Sequence, residues 1–511
     1  MRVAMALVLV EILLVSAAPA PASRARSVLT AAARAMGRFD PNATMELTGR
    51  IDAEGRTGDY REVVRMRDGA YTTHAQYSLF GEGDGYDGRI HWKQDRSAAT
   101  HNLNAPFTVA DTITLAWLKR RGYLQPGTAR IERVGHDTIG GRRARVLTMR
   151  PKGGNSIRLA FDDASHLLVR VERTRPLSIV TESYGDYRRI RGGLLPFHTD
   201  ILEVGGDAST STIQLRTAAT LVNVSSKAFA PPPPPHDTVM TGPATLPLEA
   251  LSYAVVPAQI NGHQYQFVLD TGGHDIVLPA IAKELGLSTE GQGTSGGSGP
   301  GVVPTSDTRV AELKLGSATM SAQHFAVLDL GTGFQAKGQP LRAGILGLEI
   351  FERMAVTVDE PHSRLTIEPF RAGRRCEGDA IPLLFDDDMP AVRGTIDGVP
   401  AQIGIDVGNG DIPIVLWRWA EAHKLAAKFR TGKKGSGSGV GGSNTIYRTP
   451  HHDIVIGHTA LRDTDVNYAT TPTGYFSSRA DSMNLGRTLL QKYVVRFDYS
   501  QGHMCVIKPK A

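Results

Sequence analysis

Two segments of this chain are copies of one another, and that duplication constrains the fold more than any other feature. Phe267-Val268-Leu269-Asp270-Thr271-Gly272-Gly273 recurs as Ile403-Gly404-Ile405-Asp406-Val407-Gly408-Asn409, so that Asp406 lies 136 residues after Asp270. In each copy an apolar run leads straight into an Asp, and a Gly two residues on permits a tight turn. Both read as buried strands ending in a carboxylate. The surroundings repeat in the same order. Ile260-Asn261-Gly262 precedes the first Asp, and Ile396-Asp397-Gly398 precedes the second. Val310–Gly316 matches His452–Gly457. Gly344-Ile345-Leu346-Gly347 followed by Val356–Asp359 matches Met483-Asn484-Leu485-Gly486 followed by Val494–Asp498. Such ordering predicts two lobes of one architecture, 244–385 and 386–511, meeting at the acidic turn Phe385-Asp386-Asp387-Asp388-Met389-Pro390.

The 511 residues exceed a single hydrophobic core. With 55 Gly and 29 Pro, turns are frequent and β-rich domains are favoured. Ala230-Pro231-Pro232-Pro233-Pro234-Pro235-His236 is a stiff, extended linker, assigned to 230–243. Before it, residues 23–229 carry short alternating stretches such as Thr44–Ile51, Ala144–Met149 and Leu167–Arg173, the pattern of an antiparallel sheet. Asp111–Arg120 reads as a short helix with Asp111 as its cap. At the N-terminus, Arg2 and the apolar stretch Val3–Ala18 precede small-residue sites at Ala18-Pro19-Ala20 and Ala20-Pro21-Ala22, so residues 1–22 read as an export signal. The expected location is periplasmic or secreted, with no stable membrane span once the signal is removed. A net charge of +6 is mild for this length, and no Lys/Arg run interleaves with aromatics, so nucleic acid is not an expected partner. The two cysteines, Cys376 and Cys505, are candidates for a disulfide in an exported protein, with their geometry left open by the sequence. They are too few for a common zinc site, and neither a metal nor a cofactor is expected.

Two carboxylates brought face to face share one proton and can activate a water, a route to peptide-bond cleavage without metal, Ser or Cys. After each Asp comes a helix segment, Pro279–Gly286 or Trp417–Ala427, and then a Gly/Ser-rich stretch, Gly291–Gly301 or Gly435–Ser443. Those stretches are flap candidates, with Gly296, Gly297, Gly441 and Gly442 at their centres.

Taken together, residues 250–510 resemble retropepsin-type aspartic proteases with both lobes fused in one chain. The resemblance rests on Leu-Asp-Thr-Gly at 269–272, the Pro-led helix, the Gly-rich flap and Gly344-Ile345-Leu346-Gly347 before Val356-Thr357-Val358-Asp359. It implies a bilobal all-β fold, Asp270 and Asp406 as the catalytic pair supported by Thr271, Gly272, Val407 and Gly408, and a peptide or protein substrate. The family's usual Thr or Ser after the Asp is met by Thr271, whereas Val407 has no hydroxyl, so the cross-lobe grip is expected to be half present. The N-terminal half is similar to the half-barrels of periplasmic lipoprotein carriers, on its strand rhythm and the Tyr184-Gly185-Asp186-Tyr187…Leu195-Pro196 run. That similarity implies contact with lipid or lipoprotein. The alternative function is a non-catalytic periplasmic binding protein for peptides, lipids or lipoproteins.

Remaining clusters read as structural. His274 is expected to be a loop histidine at the cleft edge. His451, His452 and His458 fit a solvated strand edge, and Asp386-Asp387-Asp388 fits a turn. Asp275 and Asp411, at equivalent positions, suggest a structural hydrogen bond in each lobe.

Overall fold

The computed structural model describes residues 21–206, 208–250, 253–331, 334–335, 341–470 and 474–509. The stretch read above as an export signal lies outside them, apart from Pro21 and Ala22 at the start of helix α1 (Pro21–Met36). The molecule is mainly β, and its first half is one antiparallel sheet of thirteen strands. Strands from Thr44–Ala53 to Thr100–Leu103 form one meander, and strands from Ala129–Ile139 to Ser209–Leu221 form a second. The first strand of one pairs with the last of the other, Thr44 opposite Leu221, which joins both into a half-barrel-like sheet. Alternation sends Leu147, Met149, Leu159, Phe161 and Val171 into a core completed by Ala25, Ala32 and Met36 of α1 and by Trp117 and Leu118 of helix α2 (Pro106–Lys119).

Helix α2 starts before Asp111, because Pro106 supplies the preset φ of a first helical position. Asp111 does not cap it; it lies in the second turn, where it accepts from Arg173 Nη1 at 2.7 Å. The linker is also more than a spacer. Thr238–Met240 adds a strand beside Ala318–Val327, and Asp237 accepts from Arg353 Nη2 at 2.7 Å.

Each copy of the repeat builds a corresponding sheet. In lobe 1 the hairpin Ala254–Ile260/His263–Leu269 lays its second strand parallel to Arg342–Leu346. In lobe 2 the hairpin Pro390–Ile396/Val399–Ile405 does the same with Met483–Leu485. A six-stranded sheet joins the lobes, and at its centre Ala355–Asp359 of one pairs antiparallel with Val494–Asp498 of the other. Val356, Val358, Val495 and Phe497 of this junction are fully buried in a core continuous through both lobes. Burial of this kind contributes about 1.5–3 kcal/mol per side chain, so the lobes hold together as one body. A disulfide joins Cys376 to Cys505 at the edge of that sheet, with Cα atoms 5.6 Å apart.

Candidate active site

Asp270 and Asp406 sit where the two lobes meet. The Asp270 N–H donates to the Leu346 carbonyl at 3.0 Å, and the Asp406 N–H donates to the Leu485 carbonyl at 2.9 Å. Each acid is therefore pinned by the parallel strand of its own lobe. The two carboxyls face one another across the lobe junction. A Cβ at Gly272 would stand 3.1 Å from Asp406 Cγ, and one at Gly408 would overlap the Asp270 carboxyl. Each acid thus lies against the glycine of the opposite copy, which is why both copies need Gly there. Burial, reinforced by the charge of Asp406, pushes Asp270 well above the usual carboxylate range. Burial also raises Asp406, against hydrogen bonds that favour its charged form. Two acids in this position hold one proton between them, and their titrations belong to the pair.

Thr271 ties the lobes together. It is fully buried; its hydroxyl donates to the Ile405 carbonyl at 2.7 Å and accepts from the Val407 N–H at 2.9 Å. Val407, also buried, has no hydroxyl to make the reciprocal pair.

Asp406 has a support that Asp270 lacks. Asn484 Nδ2 donates to Asp406 Oδ2 at 2.5 Å, and Asn409 Nδ2 donates to Asn484 Oδ1 at 2.6 Å. Asn484 is 3% exposed. Its counterpart in lobe 1 is Ile345, and the counterpart of Asn409 is Gly273, neither of which has a side-chain donor. Asn484 is absent from the residues expected above, although a polar residue inside Met483-Asn484-Leu485 was a readable signal.

The two Gly-rich hairpins meet at their tips. Lobe 1 extends Thr289–Gly296 and Val302–Leu315, and lobe 2 extends Lys433–Gly439 and Gly442–Ile456. Their tips bond to each other: the Gly299 N–H reaches the Val440 carbonyl and the Gly301 N–H the Gly441 carbonyl, both at 2.8 Å. Gly296, Gly297, Gly441 and Gly442 lie at these tips, and the Gly297 carbonyl also accepts from the Tyr475 N–H at 2.9 Å. A side chain on Gly299 would overlap the Gly441–Gly442 backbone.

The N-terminal sheet reaches the first flap. The Gln292 N–H donates to the Glu54 carbonyl at 2.6 Å, Thr294 Oγ1 donates to the Ala208 carbonyl at 3.0 Å, and Ser78 bonds Glu290. Deeper in, Asp307 is 1% exposed and meets Arg56, Arg96 at 2.8 Å and His324 at 2.7 Å. The second flap is braced within its own lobe, by Arg448 on Asp465 at 2.8 Å.

Several side chains differ from the sequence reading. His274 is a partly exposed loop histidine, but it is paired: Nδ1 lies 2.9 Å from Glu349 and Nε2 3.2 Å from Asp388. Burial disfavours its charge, but these two carboxylates outweigh that and hold it well above the usual imidazole value. Asp386-Asp387-Asp388 forms a bend, yet a docked one. Asp386 takes Thr108 Oγ1 at 2.6 Å, Asp387 takes Lys93 at 2.7 Å and Arg175 at 3.0 Å, and Asp388 takes Lys93 at 2.6 Å. His452 is buried, not solvated; Nδ1 lies 2.8 Å from Asp397 and the ring stacks on Phe429 at 5.2 Å. His451 is exposed beside Asp463, and His458 holds Asp379 through its backbone N–H at 2.6 Å. Asp275 is buried and accepts from the Gly347 N–H at 2.7 Å. Asp411 is exposed and accepts from Asn467 Nδ2 at 3.2 Å, so each lobe has the expected structural hydrogen bond, although the two acids differ in burial. Among the described residues, no group of three or more His, Cys, Asp or Glu is placed to hold a metal ion.

Comparison with known proteins gives three findings. Residues 256–350 match the family model for aspartyl proteases, so the first lobe has the fold of that family. No curated protein matches the chain. Among solved structures, a LolA superfamily protein from Nitrosomonas europaea is similar at 15% identity with a TM-score of 0.29, over 40% of this chain and 97% of that one.

Proposed function

We propose that this chain is an exported aspartic endopeptidase. The observation that carries the proposal is the meeting of Asp270 and Asp406, each seated against the other lobe's glycine and tied by Thr271. In that setting one carboxyl stays protonated and the other ionised. The ionised acid takes a proton from a water attacking the scissile carbonyl, and the protonated acid donates to the carbonyl oxygen as negative charge develops there. Substrate is an extended peptide lying under the flaps, bound through strand-like main-chain hydrogen bonds. The match of residues 256–350 to aspartyl proteases supports this reading. Export is supported by the apolar Val3–Ala18 and by the Cys376–Cys505 disulfide, which persists in oxidising compartments. The N-terminal sheet acts as an accessory domain holding the first flap. Its described core is filled by α1 and α2, which leaves lipid a lesser role than peptide.

The test is digestion of a peptide library across pH by the wild type, Asp270→Asn and Asp406→Asn. The wild type should cleave, and each substitution should abolish cleavage because the two acids have separate tasks. Cleavage that survives in Asp406→Asn would overturn the paired-acid chemistry.

A further inference from the structure

The duplication makes the two acids equal in sequence, but their surroundings are unequal. Asp406 Oδ2 accepts from the Asn484 amide at 2.5 Å, and Asn409 fixes that amide through Asn484 Oδ1 at 2.6 Å. With its oxygen committed to Asn409, the Asn484 side chain is oriented so that its NH₂ group, and not its carbonyl, faces the acid. The Asn409 N–H is itself committed to the Asp406 carbonyl at 3.1 Å, so the pair of amides is anchored to the same turn as the acid. Asp270 receives the Gly272 N–H at 2.7 Å and has Ile345 and Gly273 where Asp406 has Asn484 and Asn409. A donor that points at a carboxylate stabilises its charged form, because the bond to the ionised acid is stronger than the bond to the protonated one.

We infer that Asn484, braced by Asn409, is a positioning residue that makes Asp406 the ionised, water-activating member of the pair and leaves Asp270 as the proton donor. The inference rests on the aspartic-peptidase reading above and assigns its two roles. Asn484 acts through Asp406 and touches no substrate. The asymmetry also suits the grip: Thr271, beside the proton donor, already serves both lobes, so the second copy was free to carry Val407 and to order its acid by another route.

Two measurements on the whole chain test this. Carbon-13 NMR of labelled Asp carboxyls reads which acid ionises first, and kcat/KM against pH reads the acid limb of cleavage. In the wild type, Asp406 should ionise first. Asn484→Leu should raise the Asp406 titration and the acid limb together by about one to two pH units, the worth of a charge-assisted hydrogen bond. Asn484→Ser, which keeps a hydroxyl donor, should recover part of the shift. Asn409→Ala should move both readouts the same way by less, and it serves if Asn484→Leu fails to fold. Asp270 ionising first, or titrations unmoved in Asn484→Leu and Asn409→Ala, overturns the inference while leaving the peptidase standing. A wild type that cuts no peptide while Asp406 still ionises first overturns the peptidase and keeps the placement of the charge.

Discussion

Lobe 1 carries Thr271 where lobe 2 carries Val407, Ile345 where lobe 2 carries Asn484, and a flap clasped by another domain where lobe 2 has a flap clasped by itself. The strands that aim the two acids are the same in both. What has diverged is the polar support around them. Lobe 1 takes its support from outside, through Arg56 and Arg96 on Asp307, Asp237 on Arg353 and His101 on Glu352 at 2.6 Å. Around its acid and its flap, lobe 2 takes its support from within, through Asn409, Asn484 and the Arg448–Asp465 pair, while its first residues dock on Thr108, Lys93 and Arg175. A fused duplication permits this division, because each copy needs only half of what a symmetric dimer would build twice.

The largest expected effect breaks the outside support. Asp307→Ala leaves Arg56, Arg96 and His324 around a buried site without their acid. Removing one partner of a buried ion pair costs about 3–5 kcal/mol. Chemical denaturation should show a loss of that size, and hydrogen exchange should rise first along Thr289–Leu315, the flap it anchors. The equivalent cut in lobe 2, Asp465→Ala, removes a surface pair and should change stability by less than about 1 kcal/mol. Equal losses from the two substitutions would refute the claim that only the first flap is held from outside.

Next in size is Thr271→Val, which makes the two copies alike at this position. It strands the Ile405 carbonyl and the Val407 N–H in a buried interface. Each unsatisfied group costs about 1–3 kcal/mol, so a loss of about 3 kcal/mol is expected. Peptide cleavage should fall with it, because the turn that carries Asp406 loses its tie to lobe 1. Unchanged stability would show that the lobes are held by the six-stranded sheet alone.

Much of this was legible in the chain. Period-two alternation marked strands of the N-terminal half, and the Asp-Xaa-Gly copies marked the ends of two equivalent strands in the C-terminal half. What stayed hidden were contacts between segments far apart in sequence. Asp386-Asp387-Asp388 read as no more than a turn because Lys93 and Arg175, which meet it, lie more than two hundred residues away. His452 looked solvated because strand alternation says nothing of Phe429 stacking over it. Helix α1 went unread although Ala25, Val28, Leu29, Ala32 and Met36 fall at helical spacing, because the helix adjoins the apolar N-terminal stretch. Asp111 was misplaced because a carboxylate near a helix start suggests a cap, and Arg173 supplied a stronger partner. Asn484 was overlooked because attention to the match between copies hides the positions at which they differ.

A smaller, pH-dependent effect probes the joint beside the acids. His274 is held between Glu349 of lobe 1 and Asp388 of the inter-lobe bend, and Asp388 is shared with Lys93. Its folded value is raised, so its contribution is fully present below the ordinary imidazole value of about 6.5 and is lost as pH climbs through the raised one. Asp388 is depressed: burial opposes its charge, and Lys93 and His274 outweigh that. Its contribution is present above the ordinary carboxylate range and lost as pH falls through the depressed value. Thermal unfolding of His274→Gln should therefore show a deficit from mildly acidic through neutral pH that closes only under alkaline conditions. A deficit independent of pH would mean that the imidazole acts by packing.

The smallest effect comes from restoring symmetry. Val407→Thr adds a hydroxyl where the first copy already has one, at nearly unchanged volume. By the two-fold relation that carries Ile405 onto Leu269 and Val407 onto Thr271, the new group would donate to the Leu269 carbonyl and accept from the Thr271 N–H. A hydroxyl buried with both partners adds about 0.5–1.5 kcal/mol, less what desolvation takes back, so a gain below about 1 kcal/mol is expected. Cleavage should hardly change, since Asp406 is ordered by Asn484 and not by its neighbour's side chain. A marked gain in cleavage would show that the missing half of the grip limits the proposed activity. A fall in stability would show that the second copy has drifted too far from the first to accept its hydroxyl, in which case Val407 is the residue this interface now requires.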